Sequence, residues 1–134
     1  STVWHSSLTR SDSKDIERIQ KAAVKLIMGK NYEGYSDSLK FLNLDSLHER
    51  REKGALKFAK KSVMNENFNS FFPKRPEGYI MRTRYSDRYL VNKAHTERYR
   101  RSAVPYLQRL LNEDHQSKKK ILKTLLQVNN DVFA

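Results

Sequence analysis

Between residues 79 and 101, Tyr79, Tyr85, Tyr89 and Tyr99 are interleaved with Arg82, Arg84, Arg88, Arg98, Arg100 and Arg101. Arginine offers phosphate a planar five-donor fork, and tyrosine offers a ring for stacking plus a hydroxyl for a phosphate or a 2′-hydroxyl. The combination suits a nucleic-acid strand or an RNA–DNA hybrid better than a lipid surface. The plain alternative is that Tyr85, Tyr89 and Tyr99 anchor an irregular loop to a core. A second cationic group, Arg50, Lys53, Lys57, Lys60 and Lys61, falls on one side of a helix at 100° per residue. Such a face contacts phosphates and does not read bases; otherwise it is simply a solvated surface.

Signatures of catalysis are absent. The sequence contains no GxGxxG, Walker A, GxSxG or HExxH pattern. With no cysteine, disulfides, Cys-ligated zinc and thiol chemistry are excluded. His5, His48, His95 and His115 lack metal-site spacing, so all four are expected at the surface. The carboxylate pairs Asp12 and Asp15, Glu49 and Glu52, and Glu113 and Asp114 fall at expected helix ends. Capping and dipole effects explain them better than convergence on two metals. No catalytic residue, metal ligand or cofactor is expected.

The 134 residues carry 27 Lys and Arg against 15 Asp and Glu, a formal charge of +12. Seven basic and six acidic residues lie in 1–45, fifteen and six in 46–101, and five and three in 102–134. Solubility alone does not require that concentration, which implies a polyanionic partner. Mean hydropathy is -0.85, and no stretch approaches a membrane span. The basic helix over 46–64 has an alanine-dominated apolar side, too slight for an interfacial helix, so no membrane partner is expected. The opening residues show no signal-peptide pattern and no start methionine; the expectation is a fragment or excised domain.

Helices must position these residues. Ser11 or Asp12 is expected to cap a helix reaching Met28, with Ile16, Ile19, Gln20, Ala23, Leu26 and Ile27 as an apolar stripe and Gly29 as the stop. A short helix from Ser36 ends near Asn43. Asp45 or Ser46 caps the longest helix, 46–64, with Glu49 completing a capping box if Ser46 is the cap. Arg51 lies on its apolar side with Leu47, Ala55, Phe58, Ala59 and Val63. Phe68, Phe71 and Phe72 are expected to fill a satellite core, and Pro73 and Pro76 to stop any helix. From 79 to 101 only Tyr89-Leu90-Val91 looks strand-like. Ser102 caps a helix over 103–111, whose apolar face is Ala103, Tyr106, Leu107, Leu110 and Leu111. A break over 112–116 precedes a last helix, 118–128, carrying Ile121, Leu122, Leu125 and Val128; residues 129–131 are expected to fray.

The ordered pieces Val3-Trp4-His5-Ser6-Ser7-Leu8-Thr9, Ile16-Glu17-Arg18-Ile19-Gln20-Lys21-Ala22-Ala23, Leu26-Ile27-Met28-Gly29, Leu44-Asp45-Ser46-Leu47-His48-Glu49-Arg50-Arg51, Leu56-Lys57-Phe58-Ala59-Lys60-Lys61 and Phe71-Phe72-Pro73 lead into a longer one. That piece is Thr96-Glu97-Arg98-Tyr99-Arg100-Arg101-Ser102-Ala103-Val104-Pro105-Tyr106-Leu107-Gln108-Arg109-Leu110-Leu111-Asn112. Together they resemble the region after the catalytic core in non-LTR retrotransposon reverse transcriptases, over roughly residues 3–112. The resemblance implies a carboxy-terminal tail, at or past the thumb, that helps grip template RNA or primer duplex during target-primed reverse transcription. Gln20, Arg50, Arg51, Lys60, Lys61, Arg98, Tyr99 and Ser102 occupy motif positions. The family's paired polymerase aspartates, and the Cys/His knuckle found after the polymerase in some of its members, are absent here, and residues from Lys118 onward match nothing in it. Helix-face geometry makes Arg51 a buried hydrogen-bonding or snorkelling residue and Gln20 an internal hydrogen-bonding residue.

The expected fold is mostly α, a small helical domain of four to five helices with an irregular Tyr/Arg-rich segment between residues 73 and 101. Its parts are a helical lobe, 1–72, the basic segment, 73–101, and carboxy-terminal helices, 102–134. The expected function is a non-catalytic nucleic-acid-binding tail. Its partners would be RNA, DNA or an RNA–DNA hybrid, with the upstream polymerase domain or another protein as further partners, in the nucleus or cytoplasmic ribonucleoprotein. The residues assigned to nucleic-acid binding are Arg50, Lys53, Lys57, Lys60, Lys61, Arg82, Arg84, Arg88, Arg98, Tyr99, Arg100 and Arg101. The alternative is a helical protein–protein interaction module, a retroelement remnant docking through the apolar stripes at 16–27 and 103–111.

Overall fold

In the computed structural model, which describes residues 4–74 and 89–132 with side chains through residue 122, the chain is mostly helical. The helices are α1 (Arg10–Met28), α2 (Tyr35–Phe41), α3 (Leu47–Met64), α4 (Glu97–Arg100) and α5 (Ala103–Val132). Among the described residues the β-type pairing is a single antiparallel bridge between Lys74 and Tyr89, so the strand-like piece at 89–91 forms no strand. The chain divides into two compact units, Ser1–Phe58 and Ala59–Ala134.

In the first unit α1 starts two or three residues earlier than expected, because Thr9 rather than Ser11 or Asp12 is the cap. The Thr9 hydroxyl accepts from Asp12 N at 3.1 Å, and the Asp12 carboxylate accepts from Thr9 N at 3.0 Å. This capping box satisfies two amides that the helix itself cannot. Gly29 ends the helix with a φ of 52°, a left-handed backbone that favours glycine. After α2, Asn43 takes the same left-handed region at φ 51°. Asn43 N donates to Lys40 O at 3.1 Å and Leu44 N to Leu39 O at 2.9 Å, the paired closure of a Schellman motif. Ser46 and Glu49 form the expected box at the start of α3, with reciprocal bonds of 3.2 and 3.1 Å.

The α1 stripe does not become the core face. Val24 is buried, while Ile19, Leu26 and Ile27 are 72%, 84% and 66% exposed. The buried side of α1 is held by polar anchors instead. Glu17 Oε1 accepts from the Tyr35 hydroxyl and from Leu47 N, and Gln20 Nε2 donates to Asp45 O at 3.1 Å. Burial, then the bond to Glu17, raises the Tyr35 phenol far above its ordinary range. One helix thus fixes both α2 and the start of α3, and Gln20 has the internal role expected of it.

In the second unit α5 runs unbroken through 112–116, making it the longest helix at 30 residues, about 45 Å. The expected break has no glycine or proline to cause it, and Asn112 and Asp114 have partners. Asn112 grips Tyr89, while Asp114 pairs with Lys60 at 3.0 Å and Lys118 at 3.2 Å. The helix continues through 129–131 to Val132 instead of fraying. Ser102 occupies the cap position, but its hydroxyl donates back to Tyr99 O at 2.7 Å. Pro105, three residues on, has no N–H for it to accept. Leu107, Leu110 and Leu111 are buried as expected, each contributing roughly 1.5–3 kcal/mol. Of Phe68, Phe71 and Phe72, Phe72 alone is buried; Phe68 and Phe71 stay about half exposed around a 3₁₀ turn at Asn69–Phe71. Ile121 and Leu122 are exposed, and the side chains of Leu125 and Val128 lie outside the described residues.

Candidate nucleic-acid interface

On α3 the buried positions are Arg51 and Ala55 in the first unit and Ala59 and Ser62 in the second, a spacing of four, four and three. Alanine's small side chain admits a close neighbour, and the opposite side is left to solvent, where Arg50, Lys53, Lys57, Lys60 and Lys61 are all exposed. They are not equivalent. Lys53 Nζ lies 2.6 Å from Asp45 Oδ2, and this bond raises its pKa. At Asp114, burial opposes ionisation, yet the bonds from Lys60 and Lys118 outweigh it and hold the carboxyl below its usual range. Arg50 and Lys57 in the first unit and Lys61 in the second make no ion pair among the described residues.

Arg51 stands apart from that face, as its helix position implies. It is 8% exposed, its Nε donates to His5 Nδ1 at 3.3 Å, and its Nη2 donates to Ser13 Oγ at 3.2 Å. His5 is therefore buried, contrary to the surface position expected of all four histidines. It meets His48 edge to face at 5.3 Å. Sequence spacing could not pair residues 43 apart in this way. Burial, then the charges of Arg51 and His48, lower the His5 pKa. The bond at Nδ1 places the neutral ring's proton on Nε2. A cleft of about 520 Å³ lies beside these residues, lined also by Thr9, Arg10, Lys14 and Glu17. Among the described residues no group of three or more His, Cys, Asp or Glu is placed to hold a metal.

In the second unit α4 was not expected from the sequence, and it organises four of the assigned residues. Thr96 caps it by accepting from Tyr99 N at 3.2 Å. Glu97 accepts from Arg100 Nε at 2.8 Å and Arg101 Nε at 2.9 Å, and these bonds lower its pKa. Arg98 makes no ion pair among the described residues, and Tyr99 is 42% exposed. Tyr79, Arg82, Arg84, Tyr85 and Arg88 lie outside the described residues.

Sequence reasoning missed two polar residues on the buried face of α5. Asn112 takes Tyr89 N on its Oδ1 and gives its Nδ2 to Tyr89 O, both at 3.0 Å. One turn earlier Gln108, fully buried, accepts Asn92 N at 2.8 Å and donates to Phe71 O at 2.7 Å. Two amides spaced i, i+4 within a leucine stripe were the available signal. They supply side-chain partners to the backbone of residues 71, 89 and 92.

Among the described residues no helix is long and apolar enough to cross a membrane. No family model, curated protein or solved structure matches the chain.

Proposed function

We propose that the chain is a non-catalytic nucleic-acid-binding tail of a retroelement-type reverse transcriptase, gripping template RNA or primer duplex through phosphate contacts, in the nucleus or a cytoplasmic ribonucleoprotein. The reading rests on the sequence resemblance for its context. One structural observation carries it. Within the stretch that holds most of the net charge, Arg50 and Lys57 in the first unit and Lys61 and Arg98 in the second are exposed and have no acidic partner among the described residues. Unneutralised cations at helix surfaces are what phosphate contact requires, and they specify no base.

The test is the affinity of the purified chain for single-stranded RNA, duplex DNA and an RNA–DNA hybrid at low and physiological salt. If these four cations each neutralise one phosphate, a fourfold rise in salt weakens binding roughly 50-fold for a single strand and roughly 150-fold for duplex DNA. Absent or salt-insensitive binding by folded protein overturns the reading.

A second reading has its own observation. The exposed Ile19, Leu26 and Ile27 favour a helical protein-interaction module docking through α1. The matching stripe on α5 is spent inside the second unit, so only α1 is available for it. A partner retained after nuclease treatment, together with no nucleic-acid affinity, would select this reading.

A further inference from the structure

We infer that Phe71 and Tyr99 form a stacking platform for the bases of a single-stranded polynucleotide, held in place by Gln108 and Asn92; the inference rests on the nucleic-acid reading above. Both residues are about half exposed, Phe71 at the end of the 3₁₀ turn and Tyr99 on the four-residue α4. They are not independent of one another. Gln108 Nε2 donates to Phe71 O at 2.7 Å and to Asn92 Oδ1 at 3.4 Å, and Asn92 Nδ2 donates to the Tyr99 hydroxyl at 3.2 Å. Asn92 is fixed a second time through its backbone amide on Gln108 Oε1. One amide with no exposure therefore ties two exposed aromatic residues to the same turn of α5. This network leaves the Tyr99 ring in solvent while restraining its hydroxyl, so little ordering is left to be done when a base arrives.

The charge around the platform fits a polyanion. From 89 to 112 the chain has Lys93, Arg98, Arg100, Arg101 and Arg109 against the single acid Glu97. The rings determine which polyanion. Every base has a π-face, but in a duplex those faces are already stacked on neighbouring pairs, whereas in a single strand they are available. The platform thus adds an uncharged, strand-selective contribution to the phosphate contacts. RNA and DNA present the same faces, and the two are separated by using strands of one sequence in both backbones.

The experiment measures the full chain and its Phe71→Leu, Tyr99→Leu and Tyr99→Phe variants against single-stranded RNA, single-stranded DNA and duplex DNA across salt, with circular dichroism to verify folding. Each leucine variant should lose on the order of 10-fold in single-strand affinity with an unchanged salt slope and unchanged duplex affinity. Tyr99→Phe keeps the ring and should lose far less. Single-strand affinity unchanged in both leucine variants, or lost in parallel with duplex affinity, overturns the platform while leaving the phosphate reading standing. No binding of any polynucleotide by the folded wild-type chain overturns both.

Discussion

Along α1, Ile19, Leu26 and Ile27 lie open to solvent, whereas along α5 Leu107, Leu110 and Leu111 are buried. Both helices carry apolar residues at three- and four-residue spacing, so periodicity does not account for the difference. What differs is the company on the other face of each contact. On α5, Gln108 and Asn112, buried like the leucines, bind the backbone of residues 71, 89 and 92. On α1 the equivalent polar anchors, Gln20 at the edge of the stripe and Glu17 beyond it, attach α2 and the start of α3 to that side. Polar side chains decide which apolar face is covered, because only they can satisfy the backbone of a segment that has no regular structure of its own.

The comparison breaks most visibly at the leucines. Leu107→Ala should destabilise the protein by about 2–5 kcal/mol through the cavity it leaves, while Leu26→Ala should stay within about 0.5 kcal/mol, both by denaturant unfolding. Equal costs would mean that the α1 stripe is covered after all. Next in size is Asn112→Leu, which retains bulk but removes both side-chain bonds to the Tyr89 backbone; a loss of about 1–3 kcal/mol is expected from the same measurement. A neutral result would show that the irregular segment is not held by this clamp.

The smallest effect concerns His5 and sharpens the account of the first unit. Its folded pKa lies below the ordinary 6.5, so the unfolded chain takes up a proton more readily. The stability due to neutral His5 is fully present above pH 6.5 and is lost as pH falls toward the depressed value. His5→Asn keeps an acceptor for Arg51 but cannot titrate. Thermal unfolding from pH 7.5 down to 5 should show a shallower decline in the variant than in the wild type; identical slopes would remove His5 from the balance.

Much of the helical framework was legible because its signals are local. The stop at Gly29, the Ser46–Glu49 box and the inward turn of Arg51 each depend on residues within one or two turns. The cap of α1 was missed by two residues because Thr9, Ser11 and Asp12 can all cap, and the reciprocal bond of Asp12 to Thr9 chooses among them. The continuity of α5 was missed for a different reason. Asn112 looks like a breaker when its partner is unknown, and that partner, Tyr89, lies 23 residues away. Of the assigned contacts, the exposed positions on α3 followed from helix geometry, but the neutralisation of Lys60 by Asp114 did not, since it joins residues far apart in sequence. His5 was misplaced on the same ground: its partners, Arg51 and His48, are more than forty residues on.

The most direct test of the central claim is the salt dependence of single-stranded RNA binding by the wild-type chain beside a chain carrying Arg50→Glu and Lys57→Glu. The account predicts weaker binding across all sequences and a log–log salt slope shallower by about 0.7 for each contact removed. Equal affinities and equal slopes for the two chains would contradict it.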